Sequence, residues 1–257
     1  MENKLIVKNL EVFYIKNRTK LKVVKDINFG VRENEFLCII GPSGCGKTTI
    51  LNSIAGFIKP KKGEILLNGI NITEPTKDIG IVFQHNVLFP WKNVEENIKL
   101  GPKTNGILEY QIGKISKYYL KLIGLSKYAT YYPNELSGGM QQRVGFARAL
   151  ANNPEIILMD EPFSHLDAQT RAKLHQKLLQ ILNKHKKTII FVTHDIDEAL
   201  ILSDRILIMS KRPGKIKKEI KNNLPKPRTY KLTTEIDYIE QKKRIIDFLD
   251  LYNVFLL

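Results

Sequence analysis

The chain has 257 residues, 43% of them hydrophobic, which is enough to build a full core in one large domain or two small ones. No apolar run approaches the roughly 18 residues that a membrane-spanning helix needs. No signal peptide precedes the first predicted strand, and the two cysteines indicate neither a disulfide nor a zinc site. An integral membrane protein and a disulfide-stabilised secreted protein are therefore not expected.

The formal net charge of +15 is partly concentrated in one segment. Nine Lys and Arg residues lie between Lys211 and Leu232, where the only acid is Glu219. Such a run is typical of contact with nucleic acid or with an anionic membrane surface. A plain solvated surface is the other interpretation, and for the lysines scattered elsewhere it is the one we favour.

Short strands are predicted at the start of the chain, over residues 5–7, 12–14 and 22–24, with polar turns between them. Tyr14 lies in the second strand. Its ring is placed either to stack on a nucleotide base or to pack in the core, and spacing alone leaves both interpretations open.

A glycine-rich loop follows, with the sequence GPSGCGKTT over residues 41–49. The apolar run 36–40 precedes it as a buried strand, and residues 50–55 continue it as a helix. In that context the pattern G-x-x-x-x-G-K-[ST] predicts a site for nucleoside triphosphate. Its backbone N–H groups turn toward a phosphate, Lys47 adds a full positive charge, and the Thr48 hydroxyl is able to ligate Mg²⁺.

Residues 64–67 form the next predicted strand, which ends in a hairpin turn at Asn68-Gly69. Strand 79–83 then leads to Gln84. A glutamine at this place is positioned to reach a metal or a water at the carboxyl edge of a sheet. It is equally compatible with an ordinary polar residue at the end of a strand.

Helical periodicity dominates residues 88–151, beginning with the apolar sequence LFPW over residues 88–91. A helix is predicted over residues 107–123. Ser137 starts another helix, whose N-terminus is either an anion-binding site or simply capped by the serine.

Acidic residues appear at the end of the next buried strand, 156–159, which delivers Asp160 and Glu161. Adjacent carboxylates there favour a division of labour, in which one holds Mg²⁺ through water and the other orients the attacking water. A helix is predicted to begin at 164–167, and strand 188–193 brings His194 to the same sheet edge. Strand 205–209 and a final helix through Leu249, with a capping box over 234–237, complete the chain.

The ordered motifs GPSGCGKTT, VFQ, LSGGMQQR, IILMDEP, SHLD and VTHD resemble those of the ATP-binding subunit of an ATP-binding cassette (ABC) transporter over roughly residues 4 to 215. Met140 with the following QQR, together with LFPW at 88–91, is similar to the nitrate, sulfonate and taurine importer branch. The resemblance implies an α/β fold with a P-loop NTPase (RecA-like) core, an antiparallel β subdomain and an inserted α-helical subdomain.

One domain over residues 1–257 is then expected. Residues 1–87 and 152–220 would form the core and β subdomain, residues 88–151 the helical subdomain with its signature, and residues 221–257 a basic linker and C-terminal helix.

The resemblance also assigns roles to single residues. The phosphates of ATP would be wrapped by Gly41, Pro42, Ser43, Gly44, Cys45, Gly46, Lys47, Thr48 and Thr49, with Tyr14 on the adenine. Mg²⁺ would be held by Thr48, Gln84 and Asp160. Catalysis would depend on Lys47, Gln84, Glu161 as general base, and His194 on the γ-phosphate and attacking water. Ser137, Gly138 and Gly139 would bind ATP held by a second subunit, and Asp167 would lie in the loop that links the paired sites.

The implied protein is a motor of an importer at the cytoplasmic face of the membrane, with ATP and Mg²⁺ as cofactors. It would form a homodimer on ATP binding, beneath a separate permease that an extracytoplasmic binding protein supplies. A soluble ABC ATPase acting on nucleic acid or ribosomes is the alternative from another class. About ninety residues separate Thr48 from Leu136, which leaves no room for the coiled coil of the DNA-repair members, so nucleic acid is not expected. An exporter motor is the third possibility.

Overall fold

The computed structural model describes residues 3–16, 19–84, 87–164 and 166–249, except for the side chains of residues 16 and 182–185. The chain forms two compact units. The first comprises residues 1–76 and 186–257, and the second comprises residues 77–185. Within the described ranges, no helix is both long enough and apolar enough to cross a membrane.

An antiparallel sheet in the first unit is built on two long strands, β1 (Asn3–Lys16) and β2 (Thr19–Arg32). The prediction of three short strands is therefore wrong. The mostly polar residues 8–11, which suggested the first turn, lie instead at an irregularity of the register, where Asn9 has φ 49° and Asp26 on the paired strand has φ 54°. Asn and Asp tolerate this left-handed backbone, so the strands bulge and pairing resumes. The second predicted turn, between residues 14 and 22, includes residues 17 and 18, which lie outside the described residues.

The hairpin predicted at Asn68-Gly69 is confirmed. It joins β4 (Lys62–Leu67) to β5 (Ile70–Asn71). The order of strands in this sheet is β2-β1-β4-β5. Asn68 has φ 49° and Gly69 has φ 79°. Positive φ at both central residues is what a two-residue type I′ turn requires.

Parallel strands form the second sheet of the first unit. Strand β3 (Phe36–Ile40) lies between β8 (Thr188–Thr193) and β9 (Arg205–Met209), and β10 (Ile216–Lys221) pairs antiparallel with β9. Every residue of β3 and β8 is buried, as expected for a sheet covered on both faces. Helices α1 (Lys47–Ile54) and α6 (Ile196–Leu202) belong to the same unit.

The segment that follows β10 is also packed in this unit. After β10, Arg228 is only 6% exposed and its guanidinium donates to the carbonyls of Leu224, Ser203 and Asn222. The last helix, α7, runs over Ile236–Phe248. Its predicted capping box is wrong, because the N-cap residue is Glu235 and makes no side-chain capping bond.

The described residues of the second unit form two parallel strands and four α-helices. Strand β6 (Ile79–Val82) pairs with β7 (Ile156–Asp160). The helices are α2 (Val94–Thr104), α3 (Glu109–Leu122), α4 (Gly138–Ala151) and α5 (Ala168–His185). Helices α2, α3 and α4 pack together, and Phe146 of α4 stacks on Phe163 at a ring distance of 5.6 Å. Helical periodicity over residues 88–151 is thereby confirmed for α2, α3 and α4.

Candidate functional site

The glycine-rich loop connects β3 to α1 in the first unit. Its backbone turns through Gly44 at φ 73° and Gly46 at φ 107°, and Gly46 is the N-cap of α1. A Cβ at Gly46 would lie 2.5 Å from a Val24 methyl carbon, so a side chain is excluded there by both backbone conformation and space. The predicted order of strand, glycine loop and helix is confirmed.

Lys47 supplies the positive charge of this loop. It is 6% exposed, and its Nζ donates to the carbonyls of Gly41 at 2.9 Å and Pro42 at 3.2 Å. The ammonium group is thus held inside the curve of the loop by its own backbone. Ser43, Gly44 and Thr48 are exposed, which leaves the outer side of the loop and the Thr48 hydroxyl accessible.

A turn at Gly214, far away in the sequence, packs against the glycine-rich loop. The backbone of Gly214 pairs with β2 through Val23 and Lys25, and a Cβ on Gly214 would lie 2.1 Å from the Cys45 carbonyl oxygen. Sequence reasoning missed this contact, although Pro213-Gly214 is a turn signal.

Both cysteine thiols are shielded from solvent. Cys45 is 1% exposed and Cys38 is fully buried. Burial raises the pKa of the Cys38 thiol well above its usual value. The nearby Lys47 and helix N-terminus would by themselves favour a reactive thiol at Cys45, but the folded loop buries this residue.

His194 emerges beside the glycine loop. Strands β3 and β8 are parallel with Ile40 opposite Thr193, so Gly41 and His194 leave the sheet next to each other. The imidazole is exposed. The position of His194 at this edge of the first unit follows from the register alone.

Tyr14 lies on β1 of the same unit, and its side chain is 43% exposed. Packing of this ring in the core, one of the two interpretations left open by the sequence, is therefore wrong. An exposed aromatic ring is available to a flat ligand.

The acidic residues lie at the corresponding edge of the second unit. Val82 of β6 is opposite Met159 of β7, so Gln84 and Glu161 each follow shortly after the end of a parallel strand. Asp160 is 9% exposed, whereas Glu161 and Gln84 are half-buried. Together they present carboxylate and amide oxygens, the ligand type that Mg²⁺ prefers.

Glu161 has an unusual backbone conformation. Its φ is 42°, in the left-handed region that costs a non-glycine residue about 1–2 kcal/mol. The Glu161 carbonyl accepts from the backbone N–H of Ser164 at 3.2 Å and from the Ser164 hydroxyl at 3.0 Å, and these bonds hold the turn in place. Strain of this kind concentrates at functional sites.

Ser137 caps α4. Its Oγ accepts from the backbone N–H of Met140 at 3.4 Å, which confirms the predicted helix start. Gly138 is exposed, and a Cβ there would meet no heavy atom within 4 Å among the described residues outside its own helix and chain neighbours. The fold of this unit therefore does not itself require glycine at position 138.

Asp167 is the N-cap of α5, one residue before the helix begins at Ala168, rather than part of the helix start predicted at 164–167. The backbone N–H of Thr170 donates to Asp167 Oδ1 at 2.9 Å. Hydrogen bonding from the side chain and backbone of Thr170 lowers the pKa of this exposed carboxyl, which is therefore ionised at neutral pH.

The apolar sequence at 88–91 is divided between core and surface. Leu88 is 9% exposed and packs inside, whereas Trp91 is 69% exposed. The rings of Phe89 and Trp91 lie 5.5 Å apart, and the Arg148 guanidinium lies 5.6 Å from the Phe89 ring centroid. Leu88 therefore belongs to the core, whereas the Trp91 indole is available to a partner.

The predicted site residues fall into two sets. The first unit contains Tyr14, residues 41–49 and His194; the second contains Gln84, Ser137 with the two glycines after it, Asp160, Glu161 and Asp167. Among the described residues, no group of three or more His, Cys, Asp or Glu side chains could hold a metal by itself.

Known proteins resemble this chain along most of its length. The family model described as ABC transporter matches residues 24–164, more than half of the chain. An aliphatic sulfonates import ATP-binding protein of Bacillus cereus is 45% identical over 234 residues, 91% of each chain. A nitrate import ATP-binding protein of Synechocystis is 39% identical over 251 residues, 95% of this chain and 94% of that one.

Solved structures agree with the sequence relatives. A dimeric, post-hydrolysis ATP-binding cassette bound to ADP and Pi has a TM-score of 0.76 and 35% identity to this chain. The likeness covers 86% of this chain and 100% of the other. The predicted fold class is therefore confirmed.

Proposed function

Because the chain belongs to the ABC transporter family and is an ATPase of its importer type, we propose that it energises uptake of a small oxyanion through a separate permease. One observation carries this proposal, namely the 45% identity to an aliphatic sulfonate import subunit across nine-tenths of both chains. The nitrate relative widens the solute class to inorganic oxyanions, and a taurine import ATP-binding protein is also among the relatives.

In this proposal the first unit binds the nucleotide. The exposed Tyr14 ring stacks on adenine, and residues 41–49 surround the phosphates with backbone N–H groups and the α1 N-terminus. Lys47 exchanges its carbonyl partners for phosphate oxygens, since a buried ammonium group binds an anion more strongly than a neutral carbonyl. His194 and the glycine-rich loop lie next to each other, which supports a common role for them. In that role His194 binds the γ-phosphate and its attacking water.

The second unit supplies the acids. Asp160, buried at the end of β7, supports the cation, and Glu161 accepts a proton from the attacking water. Mg²⁺, when bound, neutralises charge on the phosphates, and the oxygen atoms of Thr48, Gln84 and Asp160 suit it. The strained backbone of Glu161 supports its role, because such strain persists only where the surrounding structure enforces it.

A second copy of the chain completes each site. The N-terminus of α4 at Ser137 is an anion-seeking helix end, and Gly138 and Gly139 leave room for a phosphate to approach the backbone. We infer that this end binds the γ-phosphate held by a partner copy, with Asp167 in the loop that links the two sites. ATP then joins the two subunits, and hydrolysis releases them.

The permease binds the second unit at the exposed Trp91 and the half-buried Phe89. Beside them lies a groove whose lining includes Val82, Phe83, Leu88, Gln142 and Arg148. Large exposed aromatic side chains next to a cation are typical of a protein interface. Attachment there would hold the subunit at the cytoplasmic face of the membrane, while an extracytoplasmic binding protein delivers the solute to the permease.

Reconstitution in lipid vesicles tests the proposal. The chain is assembled with a candidate permease and a candidate extracytoplasmic binding protein, and uptake of labelled taurine, an alkanesulfonate and nitrate is measured with ATP inside. We expect uptake of one of them and solute-stimulated ATP hydrolysis, both lost with Glu161→Gln. Active ATP hydrolysis without uptake of any oxyanion would refute the solute class, and solute efflux would refute import.

A further inference from the structure

The short helix α6 follows directly after His194 and is held at both of its ends by the last part of the chain. It has seven residues, Ile196–Leu202, fewer than two turns. A helix this short is not stable by itself, so its position depends on what it packs against. All the residues concerned belong to the first unit.

At the start of α6, two side chains of α7 bind one carboxylate. The Tyr238 hydroxyl donates to Asp197 Oδ1 at 2.7 Å, and Lys242 Nζ lies 2.7 Å from the same oxygen. Tyr238 is 1% exposed, so its ring is fixed in one place. Burial, followed by the hydrogen bond to Asp197, raises the pKa of Tyr238, and its hydroxyl therefore remains a donor at any physiological pH.

Asp197 is linked to the backbone around His194 through the cap of α6. Asp195 is the N-cap, and its Oδ1 accepts from the N–H of Asp197 at 2.8 Å and of Glu198 at 3.2 Å. Thr193 donates its hydroxyl to Glu198 at 2.5 Å and accepts from the N–H of Asp195 at 3.0 Å. His194 is therefore flanked on both sides by residues whose positions depend on the first turn of α6.

At the far end of α6, the carbonyl groups are bound by the segment after β10. Asn222 Nδ2 donates to the carbonyls of Leu200 and Ser203, both at 2.8 Å. Arg228 Nη1 donates to the same Ser203 carbonyl at 2.8 Å. Both side chains are buried, so these bonds are protected from water.

We propose that residues 222–248 form a clamp on α6 that positions His194 for ATP hydrolysis, with Tyr238 as its main positioning residue. This inference depends on the catalytic role proposed above for His194. A catalytic group displaced by about 1 Å loses much of its effect, on the order of 10²-fold in rate. Loss of a single clamp contact shifts the loop less than that, because Asn222 and Arg228 still hold the other end.

The test compares Tyr238→Phe with Lys243→Met, an exposed lysine of the same helix, as the matched control. We expect Tyr238→Phe to lower kcat for ATP by about 3- to 30-fold with an unchanged KM, since the phosphate loop is untouched. Hydrogen exchange should accelerate over residues 193–203 in this variant and not in the control. Unchanged kcat and unchanged exchange in that segment would overturn the clamp.

The His194→Ala variant separates this inference from the function on which it depends. If His194→Ala turns over ATP normally, the proposed role of His194 is wrong. If His194→Ala is impaired while Tyr238→Phe behaves as wild type, only the clamp is wrong. In the double variant, Tyr238→Phe should add no further loss. Should Tyr238→Phe fail to fold, Lys242→Met removes the other contact to Asp197 from a side chain that is 38% exposed. A lower kcat with faster exchange over residues 193–203 would then support the clamp, and no change in either would overturn it.

Discussion

Substitution of Gly138 by alanine separates the stability of the chain from its assembly with a second copy. No described heavy atom outside its own helix and chain neighbours lies within 4 Å of the added methyl group, and Gly138 is the first residue of α4. Alanine in a helix is more favourable than glycine by about 0.5–1 kcal/mol. The isolated Gly138→Ala protein should therefore be as stable as wild type, or have a melting temperature up to about 4 °C higher.

The same methyl group should obstruct the proposed contact with a partner's phosphate. An extra carbon in a well-packed contact costs about 1–3 kcal/mol. Because the proposed dimer contains this contact twice, the cost is about 2–6 kcal/mol, and at 1.4 kcal/mol per factor of ten the ATP-dependent dimerisation constant should fall about 30- to 20,000-fold. Steady-state ATP hydrolysis should decrease with it, because the site is incomplete without the second copy.

The measurements are thermal unfolding of the free chain, and sedimentation with Mg-ATP in a Glu161→Gln background. Gly113→Ala is the control, since it also places a methyl group in open space, within α3. It should dimerise and hydrolyse ATP normally. Wild-type dimerisation of Gly138→Ala would show that nothing approaches this face closely, and unfolding of the free variant would show that the space at position 138 is filled.

Further predictions concern the acid, the thiols and the exposed indole. Glu161→Gln should cut turnover by roughly 10²-fold or more and trap an ATP-bound dimer; near-normal turnover would show that another group activates water. Glu161→Asn should be more stable to urea than Glu161→Gln by up to about 1 kcal/mol, because asparagine tolerates φ 42° better, and equal stability would argue against backbone strain. Cys45 and Cys38 should react with maleimide only after unfolding, since neither is more than 1% exposed; rapid labelling of Cys45 in the native chain, detected by mass spectrometry, would refute this. Trp91→Ala should leave the unfolding and ATP binding of the free chain unchanged while weakening pull-down by the permease, and a large loss of stability would place the indole in the core.

Several features could be predicted because they depend on residues close together in the chain. The glycine loop between β3 and α1 follows from a run of buried residues, a set of turn-forming glycines and a helix start, all within about twenty positions. The Asn68-Gly69 hairpin and the Ser137 cap are local in the same way. Parallel strands that end together also place His194 beside Gly41, once each strand has been recognised.

The local pattern failed where a residue's environment comes from elsewhere. The mostly polar residues 8–11 looked like a turn, but pairing between β1 and β2 resumes after the irregularity at Asn9, since two long strands gain more hydrogen bonds than three short ones. The polar tail looked like a linker, yet Arg228 finds buried carbonyl partners up to 25 residues away in sequence.

The solvent exposure of side chains and the strain of the backbone could not be predicted from the sequence, for the same reason. The chemistry of Cys45 suggested a reactive thiol, but a turn at Gly214 packs directly against that part of the loop. Nothing around Glu161 in sequence requires φ 42°, and the hold of Tyr238 on Asp197 joins residues 41 positions apart. The sequence alone determined which chemical groups this ATPase has and the local elements that carry them. Only the tertiary structure decided which of those groups are buried, strained or held, because packing between distant segments sets all three.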